Sequence, residues 1–207
     1  MKNNNKLILF DLDGVLFNTK SNMKESWEKV RANFNIKKEF EDYFSKIGIP
    51  FEEILKKLRI YKNIKEIKNF YKNQSLRHKN LIKIYPGVKS TLLKLVANGN
   101  KVGIVTSKDY ERTKKLVNDH NLKFSVIQCP SQKLRGKPFP DTLIYAINKL
   151  RFHRKNTFYV GDTRNDCLAA KRCNVKFIYA RYGYGRRSIK AFATINKFKD
   201  ILKLDFS

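Results

Sequence analysis

The chain has little cysteine and little acid. Its three cysteines, Cys129, Cys167 and Cys173, are odd in number and form no CxxC pair. That argues against a disulfide framework or a cysteine zinc site and for reduced thiols used as small packing groups. Cys167 and Cys173 are six apart and do not share a helix face. No apolar run approaches the ~20 residues that crossing a bilayer takes. The N-terminal apolar run, Leu7-Ile8-Leu9-Phe10, is too short for a signal peptide and meets Asp11 with no small-residue cleavage site. A cytoplasmic protein without a membrane partner is expected. Internal repeats and low-complexity linkers are lacking as well.

Asp and Glu number 18 against 45 Lys and Arg, a formal net charge of +27. One reading is a polyanionic partner such as nucleic acid; the other is a compositional bias toward lysine. Residues 18–85 hold 17 Lys and Arg against 8 Asp and Glu, so the excess is spread along the chain. A nucleic-acid binder gathers its charge on one face, and the compositional reading is preferred. A general positive field still favours the approach of small phosphorylated molecules.

The 207 residues, 42% of them hydrophobic with 15 Phe, suffice for a substantial core in one domain or one domain with an insertion. Residues 6–10 read as a buried strand. From 18 to 82 the periodicity is helical: Trp27, Val30 and Phe34, then Phe40, Tyr43, Phe44 and Ile47, then Ile54, Leu55 and Leu58, then Ile64, Ile67, Phe70 and Tyr71 recur at spacings of three and four. Gly48-Ile49-Pro50 and Tyr61-Lys62-Asn63 break this run. After Tyr85-Pro86-Gly87 the texture alternates. A helix over 87–97 stops at Asn98-Gly99, and strands at 102–105, 124–127, 157–160 and 176–179 alternate with helices at 109–119, from 140 onward, and at 164–173. Such alternation predicts βαβ units, a parallel sheet and an α/β fold, with ligands at the carboxyl ends of the strands.

Two acidic clusters lie at those ends. Asp11-Leu12-Asp13-Gly14-Val15-Leu16 follows the first strand, and Gly161-Asp162-Thr163-Arg164-Asn165-Asp166 follows Thr157-Phe158-Tyr159-Val160. A strand sends residues i and i+2 to one face, so Asp11 and Asp13 point into one site. Acids crowded beside a core strand call for a cation or a chemical task to offset repulsion and desolvation. Gly14 lets the backbone turn away from the strand.

These clusters, with Thr106-Ser107-Lys108 after the strand 102–105 and Gly136-Lys137-Pro138-Phe139-Pro140-Asp141, form four motifs in order. The chain resembles the haloacid dehalogenase-like (HAD-like) hydrolases, in the phosphoglycolate-phosphatase-like branch with a helical cap. The match covers the first seventeen residues and about 85–185; the block between matches in position and helical character only. The resemblance implies a three-layer Rossmann-like core at 1–17 and 83–207 with a cap at 18–82. It implies a Mg2+-dependent phosphatase for a small phosphorylated metabolite. Asp11 would be the nucleophile that forms an aspartyl-phosphate, and Asp13 the general acid and base. Lys137 would supply a fixed positive charge, and Thr106 with Ser107 would bind phosphate. The metal site would comprise Asp11, Asp162 and the Asp13 backbone carbonyl on the ion, with Asp166 holding a metal-bound water or positioning Lys137.

Plainer roles stand beside these. Thr106 and Asp162 are also placed to cap helices, Asp166 to complement a helix dipole, and Lys137 is one lysine among many. Trp27 packs among the cap helices, the preferred reading, or closes over substrate. Asn18 and Thr19 begin the hinge and are candidates to line the pocket. Arg181-Tyr182-Gly183-Tyr184-Gly185 resembles the loop after the last core strand of the branch or is a plain loop. His78, His120 and His153 are scattered and suit surface or packing roles. A hexose-phosphate phosphomutase remains an alternative. A nucleic-acid-end phosphatase or binder is a third. Dehalogenase and phosphonate-cleaving chemistry are disfavoured because Asp13 is present.

Overall fold

The computed structural model describes residues 5–185 and 189–206. In chain order the strands and helices are β1 (Leu7–Phe10), β2 (Phe17–Asn18), α1 (Lys20–Phe34), α2 (Phe40–Phe44), α3 (Phe51–Lys57), α4 (Ile64–Arg77), β3 (Lys83–Ile84), α5 (Val88–Ala97), β4 (Lys101–Val105), α6 (Tyr110–Asp119), β5 (Val126–Gln128), α7 (Asp141–Lys149), β6 (Thr157–Gly161), α8 (Arg164–Cys173), β7 (Lys176–Ala180) and β8 (Ala193–Ile195). Among the described residues no helix is long and apolar enough to cross a membrane.

Six strands form one parallel sheet in the order β5-β4-β1-β6-β7-β8. All four residues of β1 are buried, as a strand covered on both faces requires. Its alternation sorts the layers. Ile8 and Phe10 face a core shared with Val88, Leu92 and Leu95 of α5 and Leu116 and Val117 of α6. Leu7 and Leu9 face the other way, onto Leu143 and Ile147 of α7 and Ala169 and Ala170 of α8. The result is the α/β arrangement of helices on either side of a parallel sheet.

Helix ends follow local chemistry. Asp109 accepts the Arg112 backbone N–H at 3.0 Å and caps α6, so Thr106 does not cap that helix. Thr163 and Asp166 form a reciprocal capping box at α8, so Asp162 is not the cap there. Gly99, at φ +81, follows α5.

Some boundaries differ from the expectation. The strand expected over 124–127 forms at Val126–Gln128; Phe124 instead packs half-buried against the core. The edge strand β8 escapes sequence reading because only Ile195 of its three residues is buried. Phe17 and Asn18 pair antiparallel with Ile84 and Lys83. This two-stranded ribbon ties together the two ends of the helical segment, and two residues are too few to show a period.

That segment has a core of its own, including Met23, Trp27, Phe40, Tyr43, Ile54, Leu55 and Tyr71. Trp27 is fully buried, stacks on Tyr43 at 4.7 Å and donates its indole N–H to the Lys38 carbonyl at 3.0 Å. It packs the helices and does not border the cavity between them and the sheet. Truncating a buried Trp removes its contacts and leaves a void, so Trp27→Ala is expected to cost about 3–5 kcal/mol, read as a lower midpoint in urea unfolding; an unchanged midpoint would contradict this packing.

Candidate active site

β4, β1 and β6 are neighbours in the sheet, and each hands one polar residue to the same end. Asp11 follows β1 and donates its N–H to the Val160 carbonyl at 2.8 Å. Thr106 follows β4 and donates to the Gln128 carbonyl at 3.1 Å. Asp162 follows Gly161, the last residue of β6. The ladder therefore continues one residue past β1 and β4 and fixes the backbone of both groups. In parallel sheets this end is where ligands bind.

Lys137, in the connection between β5 and α7, reaches this end from the side. Its ammonium is 2.8 Å from Asp11 Oδ1 and donates to Asp166 Oδ1 at 2.6 Å; its side chain is 1% exposed. Asp166 Oδ1 also accepts from the Tyr159 hydroxyl at 2.9 Å. Its Oδ2 accepts from the Thr163 N–H at 2.9 Å and the Thr163 hydroxyl at 2.5 Å. Asp166 is thus anchored on both oxygens. Burial pulls the Lys137 pKa down, but the Asp11 and Asp166 charges outweigh it and the net shift is upward.

Asp11, Asp162 and Asp166 each offer a carboxylate oxygen within 4.8 Å of one another, and all three are buried. One ammonium cannot balance three carboxylates. Burial chiefly, helped by Asp166 and Asp13, holds the Asp11 pKa up at about 7 against the pull of Lys137. Burial and the Asp166 and Asp11 charges push Asp162 well above the carboxylate range. Asp162 Oδ2 accepts the Tyr184 N–H at 2.6 Å, while its Oδ1 has no hydrogen-bond partner among the described residues. A buried, unpartnered carboxylate oxygen among other acids fits a hard divalent cation with oxygen ligands. The Asp13 carboxylate stands outside this group of three; its Oδ2 pairs with Lys108 at 3.1 Å.

Gly14 is required at the turn after Asp13. Its φ is +84, and a Cβ built there collides with the Asp162 carboxylate. The loop 181–185 closes the other side of that acid. The Tyr184 hydroxyl accepts the Thr19 N–H at 2.6 Å, and its ring meets Phe44 edge-on at 5.2 Å.

A cavity lies between the sheet and the helical segment. Asp11, Asp13, Thr106, Ser107 and Lys137 all border it. Asp162 and Asp166 are fully buried and do not line it. Asn18 and Thr19, expected as pocket candidates, do not line it either: Thr19 is turned to Tyr184, and Asn18 Oδ1 accepts the Lys20 N–H at 3.3 Å. Lys108, Arg112, Tyr43, Phe51 and Tyr71 do line it, and sequence reading gave none of them a site role. Lys108 sits directly after Thr106-Ser107, but one lysine has no contrast among 45 basic residues. The aromatics carry a helical core spacing, and they serve that core as well.

Several contacts hold the helical segment over the cavity. Ser107 Oγ donates to the Gly48 carbonyl at 3.0 Å, and Asn165 Nδ2 donates to the Ile47 carbonyl at 3.2 Å. Lys79 pairs with Asp119 at 2.9 Å, and Lys72 pairs with Glu111.

Comparison with known proteins agrees with this geometry. The family described as haloacid dehalogenase-like hydrolase matches residues 8–180. The chain belongs to that family. A phosphoglycolate phosphatase of Pasteurella multocida is 30% identical over 200 residues, 86% of this chain and 87% of its own. The pyrophosphatase PpaX of Oceanobacillus iheyensis is 28% identical over 173 residues, 83% of this chain and 81% of its own. The crystal structure of a predicted phosphoglycolate phosphatase from Haemophilus somnus superposes with a TM-score of 0.80 at 26% identity, over 97% of both chains. These relatives place this HAD-like hydrolase in the phosphoglycolate-phosphatase-like branch.

Because burial raises the proton affinity of Asp11 and Asp162, a divalent cation bound among these acids is expected to displace protons from them. Calorimetric titration of the protein with Mg2+ near pH 7, in two buffers of different ionisation enthalpy, is expected to show proton release that shrinks by pH 9. Binding heats that do not depend on the buffer would contradict this electrostatic picture.

Proposed function

We propose that this phosphoric monoester hydrolase cleaves a small phosphorylated metabolite through an aspartyl-phosphate formed on Asp11. The observation that carries this reading is the meeting of Asp11, Thr106 and Lys137 on one cavity, with Asp162 buried behind Asp11. A phosphoryl group needs a nucleophile held in line and cations around its equatorial oxygens. An Asp11 carboxylate oxygen attacks phosphorus, and the bond to the leaving oxygen breaks. Asp13, facing the same cavity, gives its proton to that oxygen. It then takes a proton from water as the water oxygen attacks the phosphorus of the acyl phosphate, which releases inorganic phosphate and restores Asp11.

The other residues serve these steps. Lys137 holds a positive charge against Asp11 and lets a phosphate dianion approach it. Asp166, with Tyr159 and Thr163 behind it, positions Lys137. The Thr106 hydroxyl is placed to donate to a phosphoryl oxygen. Ser107, whose hydroxyl is used by Gly48, offers its backbone N–H. A Mg2+ ion held by Asp11, Asp162 and the Asp13 backbone carbonyl would draw negative charge from the transferring phosphoryl group. The helical segment at 18–82 acts as a cap; its contacts over the cavity support a substrate of metabolite size and water as the acceptor favoured by the phosphatase and pyrophosphatase relatives.

Asp11→Asn keeps the shape and removes the nucleophile. Phosphate release from p-nitrophenyl phosphate is expected to fall about a thousandfold or more, and chelation of divalent cations is expected to stop release by the native enzyme until Mg2+ is restored. Near-native turnover by Asp11→Asn would overturn the covalent route.

A further inference from the structure

The cavity has two chemically different walls. The helical segment gives Met23, Tyr43, Ile49, Phe51, Ile54 and Tyr71, and no charged side chain of that segment borders the space. Among the described residues, every cation there comes from the sheet side: Lys108, Arg112 and Lys137. Two of the three face carboxylates that border the same cavity, Lys137 against Asp11 and Lys108 against Asp13. Arg112 differs. Its Nε donates to Asp109 Oδ2 at 2.5 Å, and Asp109 does not border the cavity. Among the described residues, the Arg112 charge is therefore the one that cavity carboxylates leave unmatched.

The guanidinium is also held in place. Asp109 caps α6 through the Arg112 N–H and grips the Arg112 side chain as well. The Tyr71 ring lies 5.3 Å from Cζ, and only 11% of the side chain is exposed. Burial opposes both charges of the pair, yet Asp109 stays below the usual carboxylate range and Arg112 above its ordinary value, because each steadies the other. Tyr71 accepts a hydrogen bond from the Tyr43 hydroxyl at 2.9 Å, and burial keeps both phenols neutral. Both rings border the same cavity as Arg112 and Asp13.

We infer that Arg112 is a specificity-determining residue that receives a second oxyanion, a carboxylate or a further phosphoryl group, on the leaving group of the substrate. This rests on the phosphatase reading above. A planar guanidinium presents paired donors to an oxyanion, and one already immobilised by Asp109 and Tyr71 loses little freedom on binding. The apolar and phenolic opposite wall offers no carboxylate to compete. The substrate class is a phosphate monoester of a small alcohol that carries its own negative charge.

The test compares three esters: phosphoglycolate, ethylene glycol bisphosphate and the uncharged-tail counterpart ethyl phosphate. The native enzyme is expected to favour one or both charged-tail esters in kcat/KM by roughly 10- to 100-fold, and the ester preferred identifies which oxyanion is read. Arg112→Gln is expected to collapse that preference mainly through KM, and Arg112→Lys to keep part of it. A purely structural role would lower turnover of all three esters together and leave their ratio intact; that result overturns the inference. So does a native enzyme that treats the three alike. Absence of phosphate release from any ester by the native enzyme with Mg2+ overturns the phosphatase reading itself, and this inference with it.

Discussion

One buried ammonium stands between two carboxylates at the centre of this molecule. Lys137 touches Asp11 and Asp166, and Asp162 joins the same cluster with no ion pair of its own among the described residues. Each of these acids would be costly where it stands if left alone. The cost falls because the sheet supplies Asp11, Thr106 and Asp162 from three adjacent strands, the β5–α7 connection brings in Lys137, and the α8 capping box locks Asp166. The remaining imbalance, an Asp162 oxygen without a hydrogen-bond partner among the described residues, beside acids whose charged forms burial disfavours, is what suits the cluster to a divalent cation. Binding and structure are thus set by one electrostatic constraint: positive charge must enter for the acids to ionise together.

The same constraint explains why the surrounding chain is shaped as it is. Gly14 is fixed by the nearness of the Asp162 carboxylate, and Tyr184 by the N–H it gives to that acid. The helical segment needs no charge on its cavity face because the sheet side provides the ionic groups. Its aromatic residues can therefore serve its own packing and the cavity wall at once, as Tyr43 and Tyr71 do.

The α/β architecture was legible because each layer leaves a period in the sequence. Leu7–Phe10 is a solid apolar run, as a strand buried on both faces must be, and Asn98-Gly99 ends α5 where the chain enters a left-handed turn. The short pieces were not legible. The β2–β3 ribbon and β8 are too short for a period, and their pairing comes from tertiary contact. Among the polar residues, Asp11, Asp13 and Asp162 stood out because acids after buried strands contrast with their neighbours, whereas Lys137 stood out only through Gly136-Lys137-Pro138 and its place in the order of the four motifs. Lys108 and Arg112 had no such contrast in a chain carrying a +27 charge. Only the way the loop after β4 and the first turn of α6 border the cavity separates them from the surface lysines. The part that Tyr159 and Thr163 play in holding Asp166 was hidden for a different reason: Tyr159 reads as a buried strand residue and Thr163 as one residue of the loop after it until the chain is folded.

The most direct test of the covalent route is to catch Asp11 while it carries phosphate. Native protein turning over substrate with Mg2+ would be quenched with borohydride, which reduces an acyl phosphate to an alcohol, and mapped by peptide mass spectrometry. Homoserine in place of Asp11, and Asp13 unchanged, is the expected result. Unmodified Asp11 with reduction at another carboxylate would contradict a nucleophile at the end of β1.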